Sequence, residues 1–381
     1  MLRNAVKWFV FKCLYPLCYY IGSRHSVRQN KAVFVESHGN ELSDNYTLLY
    51  SALNELEFDT HVHMLRISES GWFKIIIRTM GMIWDVSTAQ CVLLDESNSA
   101  FGAFKIRKGT SLIQMWHACG AFKKWGYSVT DKTFGEDKQT LDQYNGHRNY
   151  SLVAVSGRNV CWAYEEAFGL DKDSGIVKPI GVSRTDVFFD DNRKREALFK
   201  ISNLDIKIDG RKIIIYLPTF RGSISMAQTS SPLDIGILSE LGDEYVFIVK
   251  QHPFVKKPLD IPERYRDYII EVSDNVTTYE LIMASDVCIT DYSSIVFEYS
   301  LMHRPIVFFA YDLEEYYDER GFYYPYEEFV PGPIVKNTRE LVDIIHDIDM
   351  FDYNKLDEFR AKFMDGCDGH STERLIKYIR K

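Results

Sequence analysis

The chain has 381 residues, 46% of them hydrophobic and 14% aromatic, with a formal net charge of −9. That length suits two domains, and the apolar fraction is enough to bury a large core, which excludes a disordered chain. The acidic balance argues against a general nucleic-acid binder, and seven cysteines without C-x-x-C spacing argue against a disulfide framework or a zinc site.

Residues 1–22 are apolar but interrupted by Arg3, Lys7 and Lys12. The uncharged run over 13–23 is shorter than the roughly 20 residues a membrane span needs. No small-x-small cleavage site follows it. Residues 1–24 read as a basic, aromatic segment lying in a membrane interface, with Arg24, Arg28 and Lys31 close by in sequence. The alternative is a core helix packed on the first domain. Pro16 is expected to break or kink the helix.

Beyond this segment, strand-like and helix-like stretches alternate. Short apolar runs predict strands at 32–36, 61–65, 91–94, 112–116 and 152–155, with helices over 44–56, 73–84 and 159–168. The pattern then restarts, with strands at 213–217, 245–249, 268–272, 287–289 and 306–309 and helices near 235–241, 278–284 and 294–301. A βα repeat of this kind implies mostly parallel, doubly wound sheets. A boundary falls near Gly181–Asp191, so residues 25–185 and 186–365 are expected as two Rossmann-like α/β domains facing across a cleft, followed by a C-terminal helix over 366–381.

Four segments at predicted strand ends carry polar residues suited to chemistry. His117 ends the run 112–116. Its ordinary pKa near ~6.5 suits proton abstraction from a hydroxyl, and Lys123 downstream could hold an anionic substrate. Arg221 follows 213–217 and could fork onto a diphosphate. Lys250 and His252 follow 245–249 as donors to phosphate oxygens. Thr290, Ser293 and Ser294 lie between the strand 287–289 and a helix, where hydroxyls and free N–H groups bind phosphate. Glu298, one turn further on, could take ribose hydroxyls. Each of these residues also has an ordinary structural reading. Together they offer a base from one half and phosphate donors from the other, as a group transfer from a nucleotide donor requires. Neither a P-loop nor a G-x-G-x-x-G motif is present. No clustered His/Asp ligand set appears, so neither a metal nor a cofactor is expected, with charge neutralised by side chains and helix ends.

This combination resembles the CDP-glycerol glycerophosphotransferases of wall teichoic acid synthesis. The matching pieces, in order, are Glu36-Ser37, Ser43-Asp44-Asn45, Trp116-His117, Lys123, Gly126, Gly181 and Arg184-Thr185-Asp186. They continue with Pro218-Thr219-Phe220-Arg221, His252-Pro253, Thr290 to Ser294, Arg304-Pro305, Arg320-Gly321-Phe322 and Gly332-Pro333. The resemblance implies a GT-B-type fold and transfer of glycerol phosphate from CDP-glycerol to a prenyl-diphosphate-linked saccharide, releasing CMP. It places the enzyme peripherally at the cytoplasmic face of the cell membrane. It gives His117 the role of base and assigns His252, Ser293 and Ser294 to the donor diphosphate. Arg184, Asp186, Glu36 and Asp44 join the expected substrate-binding set. The chain departs from the family pattern at Ala118-Cys119-Gly120, where Gly-Thr-Pro is common, and at Val182-Ser183, where Tyr-Pro is common. The first of those departures lies beside His117, where the acceptor pocket is expected. Length makes the chain look like the priming enzyme. The alternatives are ribitol-phosphate transfer or polymerisation in the same family, or a nucleotide-sugar glycosyltransferase of the same fold.

Overall fold

The structure, a computed structural model, describes residues 2–37, 39, 41–66, 71–130, 137–222 and 233–381; of residues 2–3 and 317–320 only the backbone is described. The Arg3 and Arg320 side chains therefore lie outside the described residues. The chain divides into two units. One is Met1–Asp186 with Asp365–Lys381, and the other is Val187–Met364.

The first unit contains β1 (Arg28–Glu36), β2 (Asp59–Met64), β3 (Ala89–Leu94), β4 (Ser111–Gln114), β5 (Leu152–Ala154) and β6 (Val177–Lys178). They form one six-stranded sheet in the order β2-β1-β3-β4-β5-β6. Every pairing is parallel. The second unit contains β7 (Lys212–Leu217), β8 (Tyr245–Val249), β9 (Ile269–Glu271), β10 (Val287–Thr290), β11 (Ile306–Phe309) and β12 (Ile334–Val335). Its order is β12-β11-β10-β7-β8-β9, again all parallel. Strands buried on both faces need continuous apolar runs, and Ala32 to Val35 and Ile213 to Leu217 supply them, each residue being buried. Two of the four edge strands, β6 and β12, span two residues each, too few to show a period in sequence.

Strand order reverses between β1 and β3 in the first sheet and between β7 and β10 in the second. At such a point successive helices leave to opposite faces. A crevice opens beyond the carboxyl ends of the strands, and ligands bind there in open α/β sheets.

Helix starts follow local chemistry. The Ser43 side chain accepts the Asn45 N–H ahead of the helix Asp44–Glu55. Thr277 and Glu280 form a capping box at Thr278–Ala284. The N-terminal segment is helical over Leu2–Phe9 and Tyr15–Gly22, joined by a π-helical stretch, Val10–Leu14. Pro16 thus sits in the first turn of the second helix, where its missing N–H costs little, and the preceding wide turn absorbs the lost bond. Val10, Tyr15 and Tyr19 are buried against the first unit. Tyr19 stacks on Phe104 at 4.3 Å, and its hydroxyl accepts the Arg107 N–H at 2.9 Å. A Cβ on Gly22 would come within 2.2 Å of Ser87 Oγ, so this crossing requires glycine. The opposite side leaves Trp8, Phe9, Leu17, Tyr20 and Ile21 exposed. No described helix is long and apolar enough to cross a membrane.

The C-terminal segment, expected as a helix in its own right, returns to the first unit. Leu375 and Ile379 of the helix Ser371–Ile379 join the core of β1, β3 and β4. Asp186, expected to bind substrate, has a different task. Its carboxylate accepts the Ser371 and Thr372 N–H groups at 3.0 and 2.7 Å, capping a helix that has no side-chain cap of its own. Arg374 reinforces the join by donating to Ile180 O at 2.8 Å. Asp186→Ala should therefore lower stability by about 1 kcal/mol, read as an earlier midpoint in urea unfolding. An unchanged midpoint would show that water replaces the cap without loss.

Candidate active site

The polar residues gather at the two points of strand reversal. At the first, β1 ends in Glu36 and β3 runs into Asp95 and Glu96. Glu36 is buried and accepts the Gly39 N–H at 2.9 Å and the Ser43 N–H at 3.2 Å, shaping the turn into the next helix. Asp95 is also buried. It accepts from Asn45 Nδ2 at 3.1 Å and Tyr46 Oη at 2.9 Å. Burial raises its pKa above the ordinary value, partly offset by the Asn45 bond. Arg184, buried, donates to Asn45 Oδ1 and to Cys119 Sγ at 3.7 Å. It braces the network from within. Asp44 is exposed in the first helical turn, where a negative charge complements the helix dipole. Lys123 is half-buried in the segment after Gly120.

His117 follows β4 through Trp116, whose φ of 55° is left-handed, a conformation that costs a bulky residue on the order of 1 kcal/mol and recurs at functional sites. The turn is held by Gln114, fully buried, whose Oε1 accepts the Trp116 N–H at 2.9 Å. Trp116 packs on Trp125 and Phe168 with centroids at 5.8 and 5.1 Å. The turn delivers the His117 ring outward, with 43% of its side chain exposed. Its Nδ1 lies 2.9 Å from Glu96 Oε1 and 3.2 Å from Asp95 O.

At the second reversal point, β7 and β10 end in Leu217 and Thr290. Thr290, expected to meet substrate, is fully buried, and its hydroxyl donates to Leu217 O at 2.8 Å. It ties the two strands together. The next residue, Asp291, accepts the Thr219 N–H and hydroxyl, each at 2.9 Å, and its own neighbour's N–H at 2.7 Å. Arg221, expected to grip a diphosphate, is committed elsewhere. Nε and Nη2 fork onto Asp312 at 2.6 and 2.9 Å, and Nη1 reaches Asp291 at 3.1 Å. The guanidinium also lies over the rings of Tyr292, Tyr311 and Tyr316 at 5.0–5.5 Å. Burial would lower its pKa, but the two carboxylates outweigh burial and raise it far above the usual value. Burial likewise would raise the Asp312 carboxyl, and the Arg221 bond leaves it below its ordinary 3.8.

Other expected ligands also move to structural roles. Glu298, expected to take ribose hydroxyls, is 3% exposed on the buried face of the helix Ile295–Ser300. Lys250 donates to Ser273 O at 2.8 Å, and burial lowers its pKa. Ser293 and Ser294 remain half-buried at the reversal point; the Ser293 hydroxyl accepts the Ile295 N–H at 3.3 Å. His252 sits between Phe220 and Phe254, each with its centroid 4.7 Å away. Its Nδ1 accepts the Phe254 N–H at 3.3 Å. In the neutral ring, Nε2 then carries the proton and is the donor. Among the described residues no group of three or more His, Cys, Asp or Glu side chains is arranged to hold a metal ion.

Residues 17–381 match the family model described as CDP-glycerol:poly(glycerophosphate) glycerophosphotransferase. The chain belongs to this family. It is 33% identical over 359 residues to a teichoic acid ribitol-phosphate primase from Bacillus spizizenii, covering 93% of this chain and 91% of that one. It is 34% identical, also over 93% of its length, to a teichoic acid poly(ribitol-phosphate) polymerase from the same organism, and it spans 56% of that polymerase. The structure of the wall teichoic acid polymerase TagF superposes with a TM-score of 0.77 over 100% of this chain and 96% of that one, at 22% identity. That likeness concerns the fold: two Rossmann-like, doubly wound units of the GT-B type. This family member is accordingly a transferase enzyme of the glycerophosphotransferase group.

Sequence reasoning missed Asp95, Glu96, Asp291 and Asp312 as members of the two clusters. The first three could have been found as acids directly following apolar strand runs. Asp312 lies 91 residues from Arg221, and no local signal links them. Removing one partner of a buried ion pair leaves an uncompensated charge, so Arg221→Ala should cost about 3 kcal/mol. Because Asp312 titrates below 3.8 in the folded state, the stabilisation is present above that pH and lost as pH falls through the folded value. Urea titrations at pH 7 and pH 3 should show the gap between wild type and variant narrowing at the lower pH.

Proposed function

We propose that the chain transfers glycerol phosphate from CDP-glycerol to a lipid-linked saccharide, releasing CMP, as a single priming addition. The observation that carries this reading is the pair of histidines in opposite hydrogen-bonding states. His117 presents Nδ1 to two acceptors, so Nε2 holds the lone pair of a base. His252 accepts at Nδ1, so Nε2–H is a donor for a phosphate oxygen.

In the reaction, His117 Nε2 takes the proton of the acceptor hydroxyl. The oxygen attacks the β-phosphorus of the donor, the bond from that phosphorus to the bridging oxygen breaks, and CMP leaves with the bond pair. His252 and the hydroxyls of Ser293 and Ser294 stabilise the charge that develops on the diphosphate. His117→Ala should lower kcat on the order of 10³-fold with the donor KM little changed, whereas His252→Ala should raise the donor KM. Wild-type turnover in the first variant would remove His117 from the mechanism.

A second reading, ribitol-phosphate transfer, is favoured by the names of the two relatives above. Incubating the chain and a synthetic lipid–disaccharide with CDP-glycerol, CDP-ribitol or UDP-sugars separates the possibilities. CMP release with one added glycerol phosphate by mass supports the first reading. Consumption of CDP-ribitol alone supports the second, a ladder of products indicates polymerisation, and UDP release overturns both.

The lipid-linked acceptor implies work at the cytoplasmic face of a membrane. Support comes from Trp8, Phe9, Leu17, Tyr20 and Ile21, together with Trp72, Phe73, Ile77 and Trp84 on the helix Trp72–Val86, all exposed. Aromatic and apolar side chains on helices that do not span suit an interfacial attachment. Trp8→Ser combined with Trp72→Ser, both at exposed positions, should reduce sedimentation with vesicles containing anionic lipid. Unchanged sedimentation would place the attachment elsewhere.

A further inference from the structure

Glu96 is the second residue after β3, at the first reversal point, and its carboxylate Oε1 is 2.9 Å from His117 Nδ1. The other group at that nitrogen is a backbone carbonyl, Asp95 O, at 3.2 Å. A carboxylate and a carbonyl can only accept. Nδ1 must therefore carry a hydrogen, and the lone pair of the neutral ring is confined to Nε2. A free imidazole has no such constraint, and half-exposed as it is, the His117 ring could otherwise rotate or exchange tautomers.

The supports on either side of this contact are rigid. The fully buried Gln114 bonds both ends of the arrangement: its Nε2 donates to Glu96 O at 3.1 Å, and its Oε1 accepts the N–H of Trp116 at 2.9 Å. One side-chain amide on β4 thus fixes the backbone that presents Glu96 and the left-handed turn that presents His117. Tyr150 Oη receives the second Nε2 hydrogen of Gln114 at 2.9 Å, so the amide itself cannot flip without losing bonds. Glu96 is 23% exposed in its side chain, well shielded for a residue at a strand end. A pair of this kind at an open surface would contribute little to stability; one held in place on both sides suits orientation of a reacting group.

We propose that Glu96 is the positioning residue for His117: it holds the Nδ1–H tautomer, aims Nε2 at the acceptor hydroxyl and balances the imidazolium formed when Nε2 takes the proton. This rests on His117 serving as the base. The proton moves from the acceptor oxygen to Nε2 and later to solvent; Glu96 keeps its charge throughout and forms no bond to substrate.

The test uses the full chain with a synthetic lipid–disaccharide acceptor and CDP-glycerol or CDP-ribitol, whichever it consumes. Glu96→Ala should lower kcat about 10²-fold and Glu96→Gln, which retains an acceptor without the charge, by less, with the donor KM unchanged within about twofold. In ¹⁵N-histidine-labelled protein above the titration range, His117 should show a protonated Nδ1 in the wild type and a shift towards the Nε2–H form in Glu96→Ala. Thermal unfolding of both variants checks that the fold is kept. Wild-type kcat in both Glu96 variants and an unaltered ¹⁵N pattern, with His117→Ala inactive, would overturn this inference and leave the base assignment standing. Full activity in His117→Ala would overturn both.

Discussion

The arrangement depends on one topological constraint, the reversal of strand order within each parallel sheet. Between β1 and β3, and again between β7 and β10, neighbouring strands send their chains to opposite faces. The carboxyl ends are left open there because no connection can cross them. The candidate polar residues follow the carboxyl ends of the strands at these two places or of the strands beside them, β4 and β8, joined there by Arg184 and Asp312 from more distant segments. The rest of each unit, apolar strands under helices, serves to hold them.

What fills the two openings differs in kind. At the first, buried Asp95, Asn45 and Arg184 form a network from which Glu96 and His117 project. At the second, Arg221 is bound between Asp291 and Asp312 and stacked among tyrosines, fastening three chain segments that would otherwise diverge. A guanidinium engaged on both edges acts as a clamp. His252, Ser293 and Ser294 are less buried than this clamp, which is why the proposed reaction gives the donor diphosphate to them. The two histidines share a residue type and differ in task because of the atoms at Nδ1. Two acceptors there leave the lone pair of His117 at Nε2, as the proposed base requires, and a backbone donor there leaves the proton of neutral His252 at Nε2.

Much of the fold was legible in the sequence because buried parallel strands must be continuous apolar runs. Ten of the twelve described strands coincide with predicted ones, β2 being a half-buried edge strand and not a continuous apolar run, and the two missed ones, β6 and β12, are edge pieces of two residues. That His117, His252 and Ser293 follow strand ends was legible too, as polar residues where an apolar run stops. Their company was not. Thr290, Glu298, Asp186 and Arg221 look like ligands in one dimension because polar side chains near a strand end can turn either way. Only packing shows that Thr290 bonds a neighbouring strand, that Glu298 faces the core and that Asp186 caps a helix 185 residues on. The Arg221–Asp312 fork and the Glu96–His117 contact join segments whose separation in sequence carries no periodic signal.

The proposed reaction puts the donor at the second reversal point and the acceptor at the first. A crystal structure of the full chain soaked with CMP measures this most directly. The expected result is density for the phosphate beside His252 Nε2 and the hydroxyls of Ser293 and Ser294. Density for CMP against Glu36 and Asp95 at the first sheet, with the second left empty, would contradict it.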